Sequence, residues 1–147
     1  MNDQLTLDDV LFDETLLVYF VELLAGDPAA ILLTFLLAVN AYRKEFRELM
    51  VADHDESLEE RHRQLLLDAT TICSKYLSPA SEDFMGLKLE QYRDVLDAAC
   101  SENEPQLNCF DELYNLIHRT LEKNILPTFF VSVPLSRYRE KFVKSSG

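Results

Sequence analysis

The stretch Asn108–Tyr138, NCFDELYNLIHRTLEKNILPTFFVSVPLSRY, decides how the rest of the chain is read. Phe110, Leu113, Tyr114, Ile117 and Leu121 recur at the i, i+3, i+4 spacing of one apolar helix face, which predicts an amphipathic helix from Phe110 or Asp111 to Asn124. Ile125-Leu126-Pro127 then breaks it, since an interior proline removes a backbone donor and crowds the preceding turn. Thr128–Ser132 reads as one short turn of helix, and Pro134-Leu135-Ser136-Arg137-Tyr138 as the start of a terminal helix.

Upstream the same period repeats. Residues 1–12 read as a short helix capped by Thr6, with Leu7, Val10 and Leu11 inward and Asp8 and Asp9 in a first turn where the helix dipole favours acids. A second helix starts at Asp13 or Thr15, points Leu16, Leu17, Phe20, Val21, Leu23 and Leu24 inward, and stops at Gly26. Asp27-Pro28 is a fresh start signal, an N-cap followed by proline. It opens AAILLTFLLAVNAYRKEFRELM, a helix of about 22 residues that is apolar nearly all round to Val39 and is therefore expected to be the buried central one. Ser57–Tyr76 and Leu89–Cys100 complete the series, joined by the connections Asp53–Ser57, Pro79–Gly86 and Ser101–Gln106. The stripe of the first comprises Leu58, His62, Leu65, Leu66, Ala69, Ile72, Cys73 and Tyr76, and that of the second Leu89, Tyr92, Val95, Leu96 and Ala99.

Composition agrees. In 147 residues, 3 Gly and 5 Pro leave little material for the tight turns of an all-β fold, and the length suffices for one core. The expected architecture is one all-α domain over residues 1–144, with Ser-Ser-Gly at 145–147 a tag remnant on a piece of a longer protein. A net charge of -12 argues against nucleic acid or an anionic membrane as partner, because both attract cationic surfaces. The acid is concentrated before Arg43, where seven carboxylates meet no Lys or Arg, whereas Arg137, Arg139, Lys141 and Lys144 make the far end basic. Those two ends either pack together or leave a solvated tail. Three cysteines without a CxxC pair signal neither disulfides nor zinc, which suits a reducing, cytoplasmic compartment. No signal peptide is read in the acidic first residues, and no transmembrane segment in Thr15–Val39, which Glu22, Gly26, Asp27 and Pro28 interrupt.

Catalytic chemistry is not signalled. No nucleophile elbow, phosphate loop, HExxH or Cys–His signature occurs, so no catalytic residue, metal or cofactor is expected, and an interaction module is the better reading. His54 among Asp53, Asp55, Glu56 and Glu59 suggests a cation site on one reading. The plainer reading is a solvated loop leading into an acidic first turn, since no loop glycine is positioned to turn oxygen ligands inward. His62 is expected at the edge of the core, and His118 in packing or at the surface.

In this order the helices resemble the regulator of G-protein signalling (RGS) homology domain. The resemblance is carried by LDDVLFDETLLVYFVELL (Leu7–Leu24), AYR (Ala41–Arg43), ICSKYLSP (Ile72–Pro79), MGL and its following helix (Met85–Ala99), NCFDELYNLIHRTLEKN and LPTFFVS. It implies about nine helices: an antiparallel four-helix bundle spanning Asp27–Asn124, and a terminal lobe in which N- and C-terminal helices pack together. It also implies a protein partner, a heterotrimeric G-protein α subunit or another GTPase. Active members of the family speed GTP hydrolysis by binding the switch segments best in their transition-state form, and add no catalytic group of their own.

The positions with which that family touches Gα are altered. Where the pattern has an acidic residue and Asn at the start of the core helix, this chain has Ile31 and Leu32. The middle-loop Asn has no counterpart near Asp97–Ala99, and Asn103 substitutes for it only if the loop is shifted. The late Asp and Arg pair, four residues apart, is replaced by Asn124 and Thr128, and the aromatic pair of the core helix by Phe35-Leu36. The resemblance therefore implies an interaction module of the divergent kind found in sorting nexins and kinase-anchoring scaffolds, at the cytoplasmic face of membranes through flanking domains, with weak or no activating effect. The alternative is a GTPase activator for an atypical Gα subunit. An all-α enzyme or lipid carrier with the core helix lining a pocket is a third reading. Phe129, Phe130 and Val131 either seal the two lobes or present an apolar patch for oligomerisation.

Overall fold

A computed structural model describes residues 6–52, 58–99 and 106–132. Among them are seven helices and no strand: α1 (Leu7–Leu11), α2 (Glu14–Leu24), α3 (Ala29–Met50), α4 (Leu58–Tyr76), α5 (Leu89–Ala99), α6 (Asp111–Asn124) and α7 (Leu126–Phe130). The terminal helix expected from Pro134, the basic residues Arg137–Lys144, the Asp53–Ser57 connection and Cys100 lie outside the described residues. None of the described helices is long and apolar enough to cross a membrane.

The helix starts are set by local side chains that satisfy otherwise unpaired backbone donors. Thr6 and Asp9 form a reciprocal capping box on α1. Asp13 Oδ1 accepts from the amides of Thr15 and Leu16 at 2.9 and 3.0 Å. Asp27 Oδ1 accepts from Ala29 N at 2.8 Å to open α3. Gly26 ends the preceding helix with φ +80°, a conformation in which a side chain costs backbone energy.

The chain divides into two units, Met1–Leu33 with Ile117–Gly147, and Thr34–Leu116, so that the boundary falls inside α3 and α6. In the second unit α3, α4, α5 and the first half of α6 make the antiparallel four-helix bundle. Direction follows from pairing: Asn40 meets Tyr114 while Arg43 meets Asp111, so numbers rise on α3 as they fall on α6. Phe35 meets Tyr76 while Ala38 and Tyr42 line one groove with Ile72 and Asp68, which sets α4 antiparallel to α3 as well. At the centre Phe35 and Phe110, both fully buried, stand edge to face at 6.4 Å, with Tyr42 against Phe110 at 5.6 Å. The loop after α4 is held by Met85 N donating to Tyr76 O at 3.1 Å and by Phe84 packed edge-on against Tyr92 of α5.

The first unit joins the N-terminal helices to the end of α6 and to α7, as a terminal lobe requires. Leu7 N donates to Glu122 Oε2 at 3.2 Å, and one turn earlier on α6 His118 Nε2 lies 2.9 Å from Asp8 Oδ1. Phe20 and Phe129, both fully buried, meet edge to face at 5.0 Å, and Ser132 Oγ donates back to Phe129 O at 2.7 Å. Phe129 is thus core of this unit and Val131 is 83% exposed, so the Phe-Phe-Val run is not one continuous apolar patch.

Four expectations are corrected. Val21 is 47% exposed, because α2 buries the stripe Leu16, Phe20 and Leu24, and a residue one step from Phe20 points about 100° away from it. Leu89 is 50% exposed at the first position of α5. α3 is not buried on all sides: Leu33, Phe35, Leu36 and Val39 are core, whereas Ile31, Leu32 and Leu37 are half-buried. His62 is exposed, its Nδ1 donating to the Leu58 carbonyl at 2.9 Å one turn back, and so takes no part in the core edge. In addition Pro127 sits inside the first turn of α7, where its missing donor costs nothing, so that helix begins before Thr128.

Truncating Phe129 to Ala removes a fully buried ring and its partner face on Phe20, and is expected to cost about 3–5 kcal/mol in a urea titration. Gly26→Ala meets nothing within 4 Å, so its loss of about 1–2 kcal/mol would come from the backbone alone.

Candidate functional site

The expected contact positions can be placed one by one. Ile31 and Leu32 lie in the first turn of α3, half-buried, with Ile31 N bonded to Pro28 O at 3.2 Å. Asn124 is the last residue of α6 and Thr128 the third of α7, both exposed. The two are one turn apart, linked by Ile125, whose amide donates to Leu121 O and whose carbonyl accepts from Phe129 N. Asn103 lies outside the described residues. All four described positions belong to the first unit, and none carries a charge.

A second group of polar side chains lies on the bundle, along the seam between α3 and α6. Asn40 Nδ2 donates to Tyr114 Oη at 3.1 Å, and Arg43 pairs with Asp111 while its guanidinium lies 4.2 Å from the Tyr114 ring centre. Tyr42 Oη donates to Gln106 O at 2.8 Å. The Arg43 side chain is 16% exposed and that of Asp111 50%, so the pair is partly shielded from water. Its role is to fix register: one Arg both bonded to a carboxylate and stacked on a ring tolerates little sliding of one helix along the other. The AYR motif and Asp111, separated by 68 positions in sequence, are thereby one contact. Periodicity does not reveal such a pairing, because each residue lies on its own helix without a local partner.

Beside this seam Cys109 and Tyr42 carry potentially nucleophilic atoms in a shielded setting. Burial pushes the Tyr42 phenol up, reinforced by neighbouring Cys109. Burial likewise raises the Cys109 thiol, opposed by its interaction with Tyr42. Both stay protonated at neutral pH, the reverse of what an activated nucleophile needs. A polar groove of about 370 Å³ opens nearby, with Asp94, Asp111 and Glu112 among its walls. Among the described residues, no three His, Cys, Asp or Glu side chains come together in a way that could hold a metal ion.

Tyr42 and Cys109 make the fold sensitive to base. Each keeps a proton in the folded chain that the unfolded chain releases at its ordinary pKa, so their contribution is complete below about pH 8 and is lost as pH rises further. Stability should fall as pH rises above about 8.5 to 9, where the unfolded Cys109 thiol ionises, and further above about pH 10, where the unfolded Tyr42 phenol does, with a slope of up to about 1.4 kcal/mol per pH unit for each group, read from melting temperatures between about pH 8 and 11.5. Tyr42→Phe should remove the phenol's share of that slope.

The family described as Regulator of G protein signaling domain matches residues 6–138 of the chain. No curated protein matches it.

Proposed function

The chain belongs to the regulator of G protein signaling family, and on that premise we propose that it is a protein-interaction module with weak or no GTPase-activating effect, serving G-protein signalling or membrane traffic within a larger scaffold. Domains of this family are regulatory and bind a protein partner, typically Gα. They act by holding that partner in its transition-state form and contribute no reacting group. A member that accelerates hydrolysis must therefore offer complementary charge and hydrogen bonds where the switch segments dock.

The observation that carries the reading is the side-chain chemistry at the aligned positions. Ile31 and Leu32 bring two aliphatic side chains where an acid and an amide are expected. Asn124 and Thr128 bring two neutral ones, exposed on the surface of the first unit, where a carboxylate and a guanidinium are expected. Losing one partner of a desolvated charged pair costs about 2–5 kcal/mol, so losing several brings micromolar affinity below a useful level.

Single-turnover GTP hydrolysis with a panel of Gα subunits tests this. The expected result is a rate within about twofold of the intrinsic one at micromolar domain, and strong acceleration by any ordinary Gα would overturn it. Binding of the aluminium fluoride form of one Gα in preference to its GDP form would instead favour an activator for an atypical subunit. Restoring the pattern with Ile31→Glu, Leu32→Asn, Asn124→Asp and Thr128→Arg together should raise affinity for a common Gα by at least about tenfold.

A further inference from the structure

A groove of about 300 Å³ runs between α3 and α4 on the bundle. It exists because the facing positions are short: Ala38 and Ala41, three residues apart on α3, and Thr71 on α4 leave the space between two helices unfilled. Its floor is the Tyr42 ring and Ile72, both buried. Leu67, 59% exposed and one turn before Thr71, extends the apolar surface beyond the groove. The charged side chains that line it are Glu45 on α3 and Asp68 on α4, with no cation among the lining residues. Asp68 is held in place by Gln64 Nε2 donating to its Oδ1 at 2.9 Å.

We propose that this α3–α4 groove docks a basic amphipathic helix from a partner protein, with one or two aliphatic or aromatic side chains on Tyr42 and Ile72 and flanking Lys or Arg on Glu45 and Asp68. An apolar floor of this size takes side chains that a helix presents at i and i+4. The anionic rim selects the sign of the flanking residues. Two other occupants fit less well. An anionic bilayer is repelled by the two carboxylates, and a second copy, of net charge -12, is repelled as a whole even though its residues 137–144 are basic. The groove shares no residue with Ile31, Leu32, Asn124 or Thr128, so the assignment stands whether or not any Gα is bound.

The test uses the whole chain and a fluorescent leucine–lysine peptide in helical register, followed by anisotropy and by backbone amide shifts. Saturable binding is expected, with shifts centred on residues 38–45 and 68–72. Ala41→Phe, which fills the groove from an exposed position, should weaken binding by at least about tenfold. Thr71→Arg does the same from the other helix by repelling the peptide, and serves if Ala41→Phe perturbs the fold. Glu45→Gln with Asp68→Asn should weaken binding and flatten its salt dependence. A leucine–glutamate peptide should not bind. Absence of binding, binding unchanged by both groove substitutions, shifts elsewhere on the surface, or an effect of Ala41→Phe on self-association alone would each overturn the proposal.

Discussion

The structure depends most on how Phe110 is enclosed. It stands immediately before α6, fully buried, with the Phe35 and Tyr42 rings of α3 edge-on against it. An aromatic ring in such a setting contributes through the area it removes from water and through the edge-to-face geometry. It also dictates where α6 must begin. With Phe110 in place, Asp111 falls beside Arg43 and Tyr114 beside Asn40, so the polar seam follows from the apolar contact. Apolar burial sets the position, and the hydrogen bonds select one register among those that burial alone would permit.

The terminal unit repeats this logic on a smaller scale. Phe129 is buried against Phe20, and the α1 end is attached to α6 through Asp8 and His118 and through Leu7 and Glu122. The short α1 and α7, five residues each, lie below the length at which an isolated helix persists in water, so their order derives from caps and tertiary contacts. Asn124 and Thr128 flank the junction into α7, and Phe129 follows directly. Core residues and candidate contact residues thus alternate within one turn. A change of side chain at exposed Thr128 is therefore compatible with an unchanged core at Phe129, since the exposed and buried faces answer to different constraints.

This separation explains how one fold supports both activators and binding modules. Binding energy at a protein interface comes from a few residues at its surface. Fold energy comes from Phe20, Phe35, Phe110 and Phe129, none of which is available to a partner. The α3–α4 groove belongs to the same category of surface. It is made by short residues at Ala38, Ala41 and Thr71, whose substitution by larger ones would alter recognition before it altered the core.

Most of the helix boundaries were legible without coordinates, and the reason is locality. Thr6, Asp13 and Asp27 cap amides within three residues of themselves, Gly26 ends α2 through its own φ, and the apolar period of α6 names its buried face. The family was equally readable, since it rests on residue identity and order. Burial along the apolar segments was not. Val21 and Leu89 are as apolar as their neighbours yet exposed, because burial depends on which other helix covers a face, and periodicity supplies only the face. The same holds for the Arg43–Asp111 pair and for the groove beside Tyr42: each exists only where two helices distant in sequence are brought side by side, with side-chain volumes that either meet or leave a gap.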